Sequence, residues 1–96
     1  MITEKKIQLT GYIDVPLARI GDVSAALPEH IRLTRLETGC LGFEVELDPK
    51  HQGRFLVSEL FASRPDFDAH QNRTQNSEWA RVTQGIARSY SISEVD

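Results

Sequence analysis

Ninety-six residues, 40% hydrophobic and 26% charged, give room for one core, and the chain is read as a single domain over residues 1–96. A net charge of −3 is not the basic footprint of a nucleic-acid binder, and no apolar run approaches the roughly 20 residues of a membrane span. Cys40, the one cysteine, can form no internal disulfide, and residues 1–6 lack the apolar centre of an export signal, so a cytoplasmic setting is expected.

Residues 6–15 alternate. Ile7, Leu9, Gly11, Ile13 and Val15 fall on one face, and Gln8, Thr10, Tyr12 and Asp14 on the other. That period predicts a strand, with Gly11 as a bulge or a point of close approach. Leu17, Ile20, Val23, Leu27 and Ile31 then recur at helical spacing. Pro28 interrupts them, which predicts either a kinked helix over residues 17–36 or two pieces with Pro28 in the first turn of the second. Gly39 is the expected helix stop.

Two extended runs around Asp48-Pro49-Lys50-His51-Gln52-Gly53-Arg54 predict a hairpin. In its first strand Leu41, Phe43, Val45 and Leu47 are expected on one face, with Cys40, Glu44 and Glu46 on the other. The second strand is apolar on both sides: Phe55, Val57 and Phe61 on one, Leu56 and Leu60 on the other. Such a strand is covered twice. The chain's own helices supply one cover, and a second copy of the chain is the simplest source of the other.

Ser63-Arg64-Pro65-Asp66 reads as a capped helix start. The helix is expected to run to about Arg73, with Asp66, His70 and Arg73 on one face. Ser77-Glu78 opens a short helix with Trp79, Val82 and Ile86 as its stripe, and residues 87–95 alternate as a last strand. The order βαββαβ predicts a ferredoxin-like α+β sandwich.

No phosphate loop, cysteine pair or HExxH motif is present. His30, His51 and His70 fall on elements not expected to converge, so no metal site is predicted. His70 is the candidate acid/base, with Asp66 one turn before it as the carboxylate that would orient the ring and favour its charged form. The alternative is a histidine in a structural pair. Glu59 shares a strand face with Val57 and Phe61. It is read as edge-exposed, as paired with an arginine, or as pocketed with a raised pKa, and the paired role is preferred. Cys40 is read as a small strand residue, and Trp79 as core before ligand platform.

Glu37-Thr38-Gly39-Cys40-Leu41-Gly42-Phe43 resembles the E-P-G-C-L-x-[FY] segment of the antibiotic biosynthesis monooxygenase family, with Thr38 where that family usually has proline. Asp48-Pro49, followed by Phe55-Leu56-Val57-Ser58-Glu59-Leu60-Phe61, is similar to its DP…F…E.[WF] stretch. Phe67-Asp68-Ala69-His70 is similar to its histidine helix, and Tyr90-Ser91-Ile92 fits its last strand. The resemblance implies a dimeric α/β barrel whose two sheets face each other, with a pocket between sheet and helices in each protomer. It also implies oxidation of a small phenol, quinol or polyketide aromatic by O2 without metal or flavin. His70 would act as acid/base or orienting residue, Phe43, Phe61 and Trp79 as apolar walls, and Arg73 or Glu59 as polar partners. Haem-degrading relatives use the helix histidine on iron with a tryptophan and a strand asparagine nearby. Here Phe61 stands in the tryptophan's place, and Gln8 and Thr10 are the nearest substitutes for the asparagine. The expectation is therefore a homodimer acting on a small aromatic or quinol, without a cofactor. The rival is a non-catalytic, ligand-binding or stress-related module of the same fold.

Overall fold

The computed structural model describes residues 5–96; residues 1–4, most of the stretch read above for an export signal, lie outside it. Strand β1 (Lys6–Asp14) leads through a 3₁₀ turn (Leu17–Arg19) into helix α1 (Ile20–Arg35). Strands β2 (Cys40–Leu47) and β3 (Arg54–Phe61) form the hairpin. Helices α2 (Arg64–Gln75) and α3 (Glu78–Val82) precede strand β4 (Ala87–Val95). The sheet order is β2-β3-β1-β4, and every neighbouring pair is antiparallel. This is the ferredoxin-like α+β arrangement expected from the order of elements.

Alternation sorts the sheet into two faces. Ile7, Leu9, Ile13, Phe55, Val57 and Phe61 are buried on one face beneath the helices. Phe67 of α2 closes one cluster of that core, and Val23 of α1 with Ile86 closes the other. The opposite face carries Thr10, Tyr12, Leu56, Ser58 and Leu60, paired across β1 and β3. Leu56 remains 37% exposed there. Arg54 bonds both Asp14 oxygens, at 2.8 and 3.0 Å, and its guanidinium lies 3.6 Å from the centre of the Tyr12 ring.

Pro28 sits inside one continuous α1. It and Ser24, whose carbonyl loses its helical partner, both lie on the exposed side, where water can replace the missing bond. Gly11 is a point of close approach. Its φ is +154°, and a Cβ there would stand 2.0 Å from the Ser89 carbonyl oxygen on β4.

Two local expectations are corrected. The register of β2 shifts between Cys40 and Gly42, a bulge that opposes Cys40 to Phe61 and Gly42 to Leu60. Cys40 therefore packs against the helix-side core, and Leu41 is turned outward, 53% exposed. Gly39 does not end α1, whose cap is Leu36. It is glycine because α2 leaves no room: a Cβ there would lie 2.1 Å from Asp66 Cγ.

Candidate functional site

Helix α2 starts where Ser63 caps it. The Ser63 hydroxyl accepts from the Asp66 amide at 3.3 Å and donates to the Asp66 carboxylate at 2.9 Å. This box occupies the carboxylate that the sequence offered to His70. Two turns along, His70 is buried, 2% exposed, with its ring centroid 4.8 Å from that of Phe61 and 5.8 Å from that of Phe43.

Its partner is Glu37, from the turn between α1 and β2. His70 Nδ1 lies 2.7 Å from Glu37 Oε1. A carboxylate oxygen can only accept, so Nδ1 carries the hydrogen and Nε2 is left as the basic nitrogen. Arg73, one turn further on, bonds the other Glu37 oxygen through Nε and donates to Thr34 Oγ1 at 3.0 Å. Burial holds the His70 imidazole below its ordinary pKa; Glu37 opposes this and Arg73 adds to it. The ring is thus neutral near pH 7, the reverse of the charged form expected from an Asp66 contact.

Glu59 faces the other nitrogen. Its Oε1 lies 3.7 Å from His70 Nε2, and the Thr74 hydroxyl lies 3.4 Å from the same nitrogen. Leu9 and Phe43 flank Glu59 on the neighbouring strands. Burial, reinforced by the charge of Glu37, raises the Glu59 carboxyl to about 7. The preferred reading of Glu59 as an arginine's partner is therefore corrected: the carboxyl is buried among core side chains, and no arginine meets it among the described ion pairs.

Trp79 lies apart from His70. Its indole stacks on His30 of α1, with ring centroids 4.8 Å apart and planes 3° from parallel. His30 also packs edge-on to Phe43 at 5.3 Å and stands 6.1 Å from His70. Burial, with the charges of His70 and Arg73, lowers His30 to about 3. His30 Nδ1 and Glu59 Oε1 are the buried side-chain atoms left without a hydrogen-bond partner among the described residues. Neither Glu37 nor His30 was singled out as a site residue from sequence. Glu37 heads the resembling motif, which was the signal available.

Two hollows border this constellation. A cleft of about 580 Å³ runs between α1 and α3, past Arg19, Glu29, His30, Arg73 and Trp79. A second, of about 390 Å³, opens beside Glu37, Gly39, Asp66, His70 and Arg73. Phe43, Phe61, Glu59 and His70 are thus brought together, Arg73 joins them through Glu37, and Trp79 joins through His30. Among the described residues no group of three or more His, Cys, Asp or Glu side chains is placed to hold a metal.

The fold and this buried, carboxylate-flanked histidine define a class: small ferredoxin-like α+β domains with an acid/base-capable centre under the helices. The family profile described as antibiotic biosynthesis monooxygenase matches residues 7–82, and the chain belongs to that family. A solved structure described as a putative antibiotic biosynthesis monooxygenase from Nitrosomonas europaea superposes with a TM-score of 0.83 at 16% identity, over 98% of this chain and 93% of that one. MupZ from Pseudomonas fluorescens gives 0.78 at 13%, over 96% and 70%. A further structure so described, from Deinococcus radiodurans, gives 0.77 at 19%, over 94% and 92%. At these identities the likeness is one of fold. Comparison with curated protein sequences finds no match.

Proposed function

We propose that this protein is a cofactor-independent monooxygenase that oxidises a small electron-rich aromatic, a phenol, quinol or anthrone, with O2. The observation that carries this reading is the buried His70, held in one tautomer by Glu37 and left with a basic Nε2 among aromatic walls. The chemistry balances without an added reductant. An aromatic-flanked CH2 and O2 give a ketone and water, the substrate supplying all four electrons. The protein's part is to take a proton, which makes the ring electron-rich enough to react with oxygen, and to hold the resulting anion. His70 is the acceptor, through Nε2. Phe43 and Phe61 form the walls around it, Arg73 fixes Glu37, and Trp79 with His30 forms a flat platform at the α1–α3 cleft. Haem chemistry fits poorly, because Phe61 stands in the tryptophan's place and Gln8 and Thr10 lie on the sheet face away from His70.

The test is direct. Anthrone incubated with the protein under air should give anthraquinone with one O2 consumed per turnover. Saturable anthrone binding without oxygen uptake would instead favour the non-catalytic module.

The working unit in this reading is a homodimer in the cytoplasm, with the chain as a single domain. Leu56 and Leu60 lie on the sheet face that no helix covers, between the polar rows of β1 and β2. A second sheet placed on that face would bury them. Light scattering should give twice the chain mass of 10.8 kDa, and Leu56→Glu should return it to the single-chain value. A wild-type protein that scatters as one chain at 100 μM (about the upper range of such measurements) would remove the dimer. No helix among the described residues is long and apolar enough to cross a membrane.

A further inference from the structure

The cleft of about 580 Å³ between α1 and α3 takes no part in the proton transfer proposed at His70. Its wall includes His30, 5% exposed and stacked on the Trp79 indole, with Ala26, Leu33 and Val82 as apolar neighbours. No hydrogen bond reaches either nitrogen of the His30 ring among the described residues. Nδ1 is the enclosed one of the two, which leaves Nε2 to the cleft. Buried polar groups are nearly always paired, so a ring unpaired at both ends calls for a partner from outside the chain.

The ring's state narrows that partner. Burial and the charges of His70 and Arg73 hold His30 at about 3, so the imidazole is neutral near pH 7. A neutral imidazole has one N–H and one lone pair. A hydroxyl group both donates and accepts, so it can meet Nε2 in either tautomer.

The charges along the cleft narrow it further, because most are engaged within the chain. Glu29 is bonded by Arg32, and Glu78 by Arg81. Arg73 bonds Glu37 and Thr34, and Arg19 donates to the Val82 carbonyl at 2.8 Å. Asp22 stands near enough to Arg81 for its charge to be felt there. The lining thus carries three carboxylates against three guanidinium groups, a balance that favours neither an anion nor a cation. A hollow of this size suits a ligand of about two or three fused rings.

We infer that the α1–α3 cleft binds a neutral, flat aromatic molecule through a hydroxyl group on His30 Nε2, with the ring system beside the Trp79 indole. The inference concerns binding alone and does not rest on the oxygenase reading. Arg73 lines both this cleft and the hollow beside His70, and the His30 and His70 rings are 6.1 Å apart. A molecule held here therefore lies next to the proposed proton acceptor, whether or not oxidation follows.

The experiment uses naphthol, its methyl ether and naphthoate as probes, titrated under argon so that no oxidation takes place. Trp79 is the one tryptophan, so its indole N–H gives a single NMR signal that reports on the cleft, and nitrogen-15 shifts report on the His30 ring. Naphthol should move both. It should bind at least about threefold more tightly than the ether, the size of one net hydrogen bond, and more tightly than naphthoate. His30→Phe keeps an aromatic ring against Trp79 and should bind naphthol and the ether alike. The wild-type ranking decides the matter even if that variant does not fold. Equal wild-type affinity for naphthol and the ether, tightest binding of naphthoate, or a Trp79 signal unmoved by millimolar naphthol would each overturn the assignment. Failure of the wild type to oxidise anthrone in air would remove the oxygenase reading and leave this one standing.

Discussion

Glu59→Gln should stabilise the protein by up to about 3 kcal/mol at pH 8 and leave it nearly unchanged at pH 4. The folded carboxyl titrates at about 7 against 4.5 for the ordinary group, and each unit is worth about 1.4 kcal/mol. Between those values the folded state holds the proton that the unfolded state releases. Stability from this group is therefore complete below pH 4.5, falls as the pH rises through 7, and stays low above it. Glutamine keeps the shape and never ionises. Urea titrations of both proteins at pH 4 and pH 8 give the two differences. The prediction lies in the change between them, because any misfit of the amide contributes equally to both. Equal differences at the two pH values would mean that Glu59 is not buried as a charge. His30 acts in the opposite sense. Its folded value is depressed to about 3, so its contribution is present above pH 6.5 and lost on acidification. Wild-type stability should accordingly peak between about pH 4.5 and 6.5, whereas in Glu59→Gln it should climb through that range and then level off.

The second large effect is on activity. His70→Ala should slow anthrone oxidation by about 10²–10⁴-fold, the usual range for loss of a positioned acid/base. The loss should fall on kcat more than on KM, since the aromatic walls of Phe43 and Phe61 remain. The substitution also leaves a hole beneath α2, so far-UV circular dichroism must be compared alongside. An unchanged rate in a folded variant would remove His70 from the reaction.

Much of this architecture was legible because it is written in local periods. The alternation of residues 6–15, the turn at Asp48-Pro49 and the Ser63 cap each specify an element without help from distant residues. The site was legible in part. His70 and Glu59 fell on the right elements, but their partners did not follow from spacing. Asp66 stands four residues before His70, and the same carboxylate completes the box with Ser63; the cap claims it. Glu37 is 33 residues from His70 in sequence, a contact made by the packing of a turn against a helix, which no helical period encodes. The bulge at Cys40 and Leu41 was hidden for a related reason. An alternating run predicts which residues share a face only while the register holds.

The crowding at Gly39 has a mechanical consequence. Its carbonyl accepts from Ala62 at 2.9 Å, at the end of β3, while its Cα abuts Asp66 in the capped first turn of α2. Hairpin, turn and helix are pinned at one point, so the wall carrying Glu37 and His70 is stiff. The opposite wall rests on the five residues of α3, a single turn with no fully buried residue, held by the Trp79–His30 stack and the Arg19 hydrogen bond to the Val82 carbonyl. Thermal breathing that admits a bulky guest should therefore open on the Trp79 side, and amide deuteration should run fast along that turn and slowly at Ala62.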